Sequence, residues 1–128
     1  MGTERTKNCS FLALRRQGAQ PKFDIVAIAS ELARLHTAAE ALRVFFDWSQ
    51  VTSWQYAAPS AAAIREWNKA APVIARAAFV HEPKWNRHAA ILAALLRVSD
   101  AEARSFRRVD TEKAIDWLGR ASREDDPR

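Results

Sequence analysis

Two hydrophobic rhythms alternate along this chain. Short, nearly continuous apolar runs stand at Ser10-Phe11-Leu12-Ala13-Leu14, Leu42-Arg43-Val44-Phe45-Phe46 and Ala75-Arg76-Ala77-Ala78-Phe79-Val80. Between them lie longer segments whose apolar residues recur every three or four positions. The runs suit short strands, and the densest of them a strand covered on both faces. The longer segments suit amphipathic helices.

Read in order, the pattern predicts a strand over 10–14, bounded by Arg15-Arg16. A helix follows with Pro21 in its first turn and Asp24 near its positive end, and it turns Ile25, Ile28, Leu32 and Leu35 inward before dying over 36–40. A strand over 42–47 closes on Asp47. The next helix covers 60–71, with Ser60 as N-cap, Pro72 as stop, and Ala61, Ile64, Trp67 and Ala71 inward. A strand occupies the second half of 73–80, and a helix runs from about 85 to 96 with Ile91, Leu92 and Leu95 inward. A short exposed strand at 103–106 precedes a last helix, capped by Asp110 or Thr111, through Ile115, Trp117 and Leu118.

The order β-α-β-α-β-α-β-α implies crossovers between parallel strands, hence an open α/β sheet layered with about four helices. Residues 1–9 are expected to form a flexible terminus or a short edge strand, 10–121 one domain, and 122–128 a disordered charged tail. Val44, Phe46, Ile64, Phe79, Ile91, Leu95, Ile115 and Leu118 are expected in one buried cluster.

Three stretches carry a family resemblance. The first is Leu42-Arg43-Val44-Phe45-Phe46-Asp47, followed by Val51 and Trp54. The second is Ala75-Arg76-Ala77-Ala78-Phe79-Val80, leading through His81-Glu82-Pro83 into Lys84-Trp85. The third is Arg104-Ser105-Phe106, then Asp110 and Ala114-Ile115-Asp116-Trp117-Leu118. This succession resembles the SpoIIAA-like family of small bacterial proteins, related in fold to STAS domains. The resemblance implies a STAS-like, mixed or mostly parallel sheet of four to five strands, with one N-terminal strand antiparallel to the rest. It also implies that most relatives have no assigned biochemical role. Members usually begin with two strands, and only residues 3–8 remain to supply the extra one. STAS domains that antagonise anti-sigma factors carry a phosphorylatable serine preceded by aspartate, and those positions fall here on Gln55 and Tyr56. The Asp-Ser pair is absent, which leaves Ser53 and Ser60 as the nearby hydroxyls.

Composition narrows the function classes. The 128 residues carry 27% charged and 48% hydrophobic side chains, as an ordinary globular protein does. The net charge of +5 comes from scattered arginines rather than a basic run or face, which argues against nucleic acid as a partner. Cys9 is the single cysteine, so no intrachain disulfide forms, and no run approaches the ~18 apolar residues of a spanning helix. These features lead to the expectation of a cytoplasmic protein without a transmembrane segment.

Candidate chemistry is sparse. With three glycines there is no phosphate-cradling loop, no Gly-x-Ser-x-Gly elbow is present, and Cys9 has no local base. No cofactor is implied. A metal site from His81, Glu82 and His88 lacks paired-ligand spacing, so surface or capping roles for these histidines are preferred and no metal is assigned. Ligands of open α/β sheets bind beyond the carboxyl ends of strands. Asp47, Ser53, Trp54, Tyr56, His81, Lys84 and Trp85 are therefore the candidate ligand- or partner-binding residues, with Trp54 and Trp85 in contact and Trp67 in the core. For Asp47 the plainer role is to cap backbone amides, since caps are commoner than sites. The leading expectation is a non-catalytic regulatory or interaction module that binds a protein partner or a small apolar ligand and forms a homodimer. The alternative is a small enzyme using Asp47 as general base in a Trp-lined pocket, with Ser53 or His81 nearby.

Overall fold

The computed structural model describes residues 10–36 and 41–120. Strands β1 (Ser10–Ala19), β2 (Leu42–Ser53), β3 (Ile74–Val80) and β4 (Glu102–Phe106) alternate with helices α1 (Ile25–Leu35), α2 (Ala61–Ala70), α3 (Asn86–Val98) and α4 (Thr111–Gly119). The strands form one sheet in the order β1-β2-β3-β4, and each neighbouring pair is parallel. Among the described residues there is no antiparallel strand. Residues 3–8, Cys9 and the tail over 122–128 lie outside the described residues.

Both first strands run longer than the pattern predicts. β1 passes straight through Arg15-Arg16 because each arginine finds an acid, Asp47 at 3.2 Å and Glu31 at 2.7 Å. Beyond Arg15 the pairing register with β2 slips, and Gly18 takes a φ of +77°, which glycine adopts without strain. Pro21 is not helical: α1 starts at Ile25, where Asp24 Oδ1 accepts from the amides of Val26 and Ala27. β2 continues past Asp47 to Ser53, so Asp47 sits within the strand rather than at its end. α2 matches its predicted span, and Ser60 Oγ accepts from Ala63 N at 3.0 Å.

Successive crossovers in one direction, each right-handed, place their helices on one face of the sheet. Accordingly α1, α2 and α3 share a core with Leu14, Val44, Phe46, Trp48, Ala77, Phe79 and Ala103. α4 follows the last strand and has no further strand to reach. It packs on the opposite face, where Ala114 and Leu118 meet Ala78 and Val80, flanked by Phe45, Phe106 and Trp117. The expected single cluster is therefore two. Val44, Phe46, Phe79 and Leu118 are buried, and Ile64, Ile91 and Leu95 pack at the margin of the larger cluster. Ile115 is 53% exposed, since α4 needs only the small Ala114 and Leu118 one turn apart against the sheet. On α3 the inward stripe is His88, Ala89, Leu92, Ala93 and Leu96, rotated from the predicted one.

Two arginines fix α4. Arg43 and Arg76 are register partners on β2 and β3, and both are buried. Arg43 Nη1 donates to the Leu118 carbonyl at 2.7 Å and to that of Arg120. Arg76 Nη1 donates to the carbonyls of Trp117 (2.8 Å) and Arg120 (2.9 Å), while its Nε and Nη2 meet Glu102 Oε1. The guanidiniums satisfy carbonyls that a helix end leaves without partners, at the negative end of its dipole.

Arg76→Ala should cost about 3 kcal/mol, because it strips these carbonyls of donors in a desolvated site. Phe79→Ala should cost about 3–5 kcal/mol, whereas Ile115→Ala should change stability by less than about 0.5 kcal/mol. Urea unfolding of the three variants checks both the arginine anchor and the inward phase of α4.

Candidate functional site

The carboxyl end of the sheet gathers most of the sequence candidates but divides them between two faces. Asp47 points to the α4 face. Its Oδ1 accepts from the Ser49 amide (3.1 Å) and hydroxyl (2.7 Å), and its Oδ2 accepts from Arg15 Nε (3.2 Å). Its carboxylate thus caps the chain locally and pairs with the edge strand. Asp47 is in register with Val80, so the next residue, His81, turns to the other face and lies beside Trp48 with ring centroids 6.2 Å apart. His81 Nδ1 lies 2.8 Å from the Glu82 carbonyl, and its Nε2 lies 3.1 Å from Ser105 Oγ. A carbonyl only accepts, so Nδ1 carries a proton, and in the neutral ring Nε2 accepts from the Ser105 hydroxyl. The expected alternative, Asp47 acting as base in a tryptophan-lined pocket beside His81, does not form: Trp48, Trp54, Trp85 and His81 lie across the sheet from Asp47.

On the three-helix face the aromatic residues converge on His88. Its ring centroid lies 5.0 Å from that of Phe23, 5.1 Å from Trp54, and 5.3 Å from both Tyr56 and Trp85. Trp48 meets Trp54 edge-to-face at 4.8 Å. His88 Nε2 donates to the Trp54 carbonyl at 2.9 Å, which ties α3 to the loop after β2. That loop is also bonded to the one after β1, through Gln20 N to the Ser53 carbonyl (2.8 Å) and Phe23 N to the Gln55 carbonyl (2.9 Å). Trp54 and Trp85 are each 6% exposed, as deeply placed as the core residue Trp67, so they are not displayed as contact residues. Their loop positions suggested exposure, but the loops fold back over the sheet end.

The cations the cluster shows to solvent are Lys84 and Arg87, while Arg16 is half-buried and paired with Glu31 at 2.7 Å. Arg16 lies over Trp54 (5.7 Å), Lys84 over Trp85 (5.3 Å) and Arg87 over Tyr56 (5.0 Å). Lys84 and Arg87 are exposed, Tyr56 is half-buried, and Ser53, Gln55 and Ser60 are exposed. Arg87 escaped the sequence reading, although its place one turn from the Lys84-Trp85 pair was visible. Arg43 and Arg76 escaped it too, and a lone arginine within an apolar strand was their signal. Ser105 carried none, because only the β3–β4 pairing brings it to His81.

Among the described residues no three His, Cys, Asp or Glu side chains are grouped so as to hold a metal ion. Two cavities of about 230 Å³ open on the molecule. One, lined by Trp67, Ala71, Pro72, Val73, Ile74 and Leu96, lies at the amino end of the sheet. The other, with Phe23, Ile25, Pro59 and Ala63 in its walls, separates the starts of α1 and α2. No described helix is long and apolar enough to cross a membrane.

A protein-family model described as SpoIIAA-like matches residues 12–119 of the chain. No curated protein and no solved structure matches it.

His88 makes stability depend on pH. Burial holds its pKa below the ordinary value of 6.5, with Arg87 and His81 adding to the effect and the Trp54 hydrogen bond opposing it. The unfolded chain then binds more protons than the native one, so this contribution is complete above about pH 6.5 and is lost as pH falls toward the depressed native value. The urea midpoint should decline over that range. His88→Gln, which keeps an N–H donor for the Trp54 carbonyl, should flatten the decline.

Proposed function

The chain belongs to the SpoIIAA-like family, and from that premise we propose that it is a non-catalytic regulatory module of STAS type that binds an acidic protein partner in the cytoplasm and self-associates as a homodimer. The observation that carries partner binding is the cationic rim: exposed Lys84 and Arg87 stacked on Trp85 and Tyr56 of a packed aromatic cluster at the carboxyl end of the sheet, beside the Arg16–Glu31 pair. Cations held in place by aromatic faces lose less freedom on binding than free surface lysines do, and they steer an acidic surface toward the rim. Ser53, Tyr56 and Lys84 belong to this face, with Trp54 and Trp85 supporting it from beneath. Asp47 and His81 serve the fold, since each has its polar atoms occupied within the sheet.

A second reading has its own observation. The amino-end cavity is walled by Trp67, Val73 and Leu96 with polar Asn68 and Ser99 among them, a mixed lining that suits a small, mainly apolar ligand carrying a polar group. Retained ligand would appear in native mass spectrometry of protein purified from its own cell and would disappear with Trp67→Leu.

The same native mass spectrometry tests the main proposal. A stoichiometric protein partner should be recovered with the wild type and lost with Lys84→Glu/Arg87→Glu, and its affinity should fall with added salt. A partner retained undiminished by the charge-reversed variant would defeat the rim. Incubation with a STAS-directed serine kinase should give no stoichiometric phosphorylation, because Gln55 and Tyr56 stand where the Asp-Ser pair would be. Phosphate mapped to Ser53 or Ser60 would restore the phosphate switch; Ser60, as the N-cap of α2, is where a phosphate would meet the helix dipole.

A further inference from the structure

We infer that the outer edge of β1 over Phe11–Arg15 is the dimer surface, pairing antiparallel with the same strand of a second copy about a two-fold axis at Ala13. The inference rests on the homodimer reading and names its interface. β1 stands at one end of the sheet, and no other described strand lies beyond it. The Ser10 amide donates inward to the Ala41 carbonyl, so residues of the opposite parity, Phe11, Ala13 and Arg15, direct their backbone N–H and C=O groups outward. That regular edge is confined to a short stretch. After Arg15 the register slips, and at Gly18 the backbone turns to positive φ, a device that twists the rest of an edge away from pairing.

The side chains over this stretch complement themselves in one register. Setting Ala13 against the partner's Ala13 places Phe11 opposite the partner's Arg15 on the α4 face, and Leu12 opposite the partner's Leu14 on the other. Phe11 is 59% exposed, and among the described residues the Arg43 guanidinium lies over its ring at 5.8 Å. Arg15 is already held by Asp47, so its guanidinium would meet the partner's Phe11 as a positioned, partly neutralised cation. The two Arg15 side chains would stand about 14 Å apart, four strand residues, beyond the screening length of physiological salt. Small Ala13 at the axis lets the backbones approach, and outward hydrogen bonds then form in closely spaced pairs.

Sedimentation equilibrium of the full chain at low micromolar concentration tests the inference, with Ala13→Pro and Phe11→Lys as variants. Ala13→Pro removes an outward N–H and no bond to β2, and Phe11→Lys alters an exposed side chain. The wild type should sediment as a dimer, and both variants should weaken it at least tenfold while unfolding in urea as cooperatively as the wild type. If Ala13→Pro fails to fold, Phe11→Lys decides. A dimer indifferent to Phe11→Lys overturns the edge and leaves the homodimer reading standing on another surface. A wild-type monomer overturns both, while partner binding at the cationic rim remains separately testable. Hydrogen exchange supplies the final arm: protection of the Phe11, Ala13 and Arg15 amides should fall on dilution. Protection that persists in the monomer would assign the edge to residues of the same chain and overturn the inference.

Discussion

The seating of α4 on Arg43 and Arg76 is the constraint around which this fold is arranged. Two guanidiniums side by side in the middle of a sheet repel each other, and burying them without partners would cost several kcal/mol each. The carbonyls at the end of α4, from Trp117, Leu118 and Arg120, supply the missing negative potential, and Glu102 supplies a full charge on one side. The Trp117 ring lies 4.9 Å from the Arg76 guanidinium and completes its desolvation. The helix is thus held at a fixed place over β2, β3 and β4. That leaves the β1 margin of the same face uncovered, with Phe11 exposed on it. The position of one helix end decides which part of the sheet is closed and which is open.

The other face is governed by apolar packing with a few polar atoms inside it. Trp48 Nε1, Trp85 Nε1 and His88 Nδ1 are buried without hydrogen-bond partners. Each such group costs roughly 1–3 kcal/mol relative to a satisfied one. The ring contacts of Phe46, Phe79 and Trp48 and the aromatic surround of His88 offset these costs by area and by edge-to-face geometry. The consequence is a loop after β2 whose packing against α3 depends on the protonation of His88. Lys84 and Arg87 rest on the Trp85 and Tyr56 rings of that cluster.

The sheet-and-helix order was legible because each element has a strong local period, and the SpoIIAA-like resemblance was carried by the same runs. Boundaries failed where tertiary partners override local signals. Arg15-Arg16 read as the end of a strand, yet Asp47 and Glu31 keep it going. Pro21 read as a helix start, yet Asp24 caps three residues later. For the site, the sequence reading placed its candidates at the carboxyl end of the sheet and in the loops there, and the fold brings most of them to that end. It could not say that adjacent register partners send Asp47 and His81 to opposite faces, nor that loop tryptophans fold under. Both facts depend on strand register and on how loops close, which hydrophobic period does not encode.

The two surfaces proposed for this chain bear on each other through the direction of its strands. All four strands run the same way, so the cationic rim stands at one end of the sheet while the β1 edge runs along its side. Pairing β1 antiparallel with a second β1 must turn the two carboxyl ends in opposite directions. The rims of Lys84 and Arg87 would then face away from each other at the two ends of one continuous sheet. Such a dimer could not grip one acidic partner with both rims, and each copy would bind its own. Dimerisation would double the sites without joining them, and the partner-to-chain ratio would stay at one to one whether or not the edge is paired.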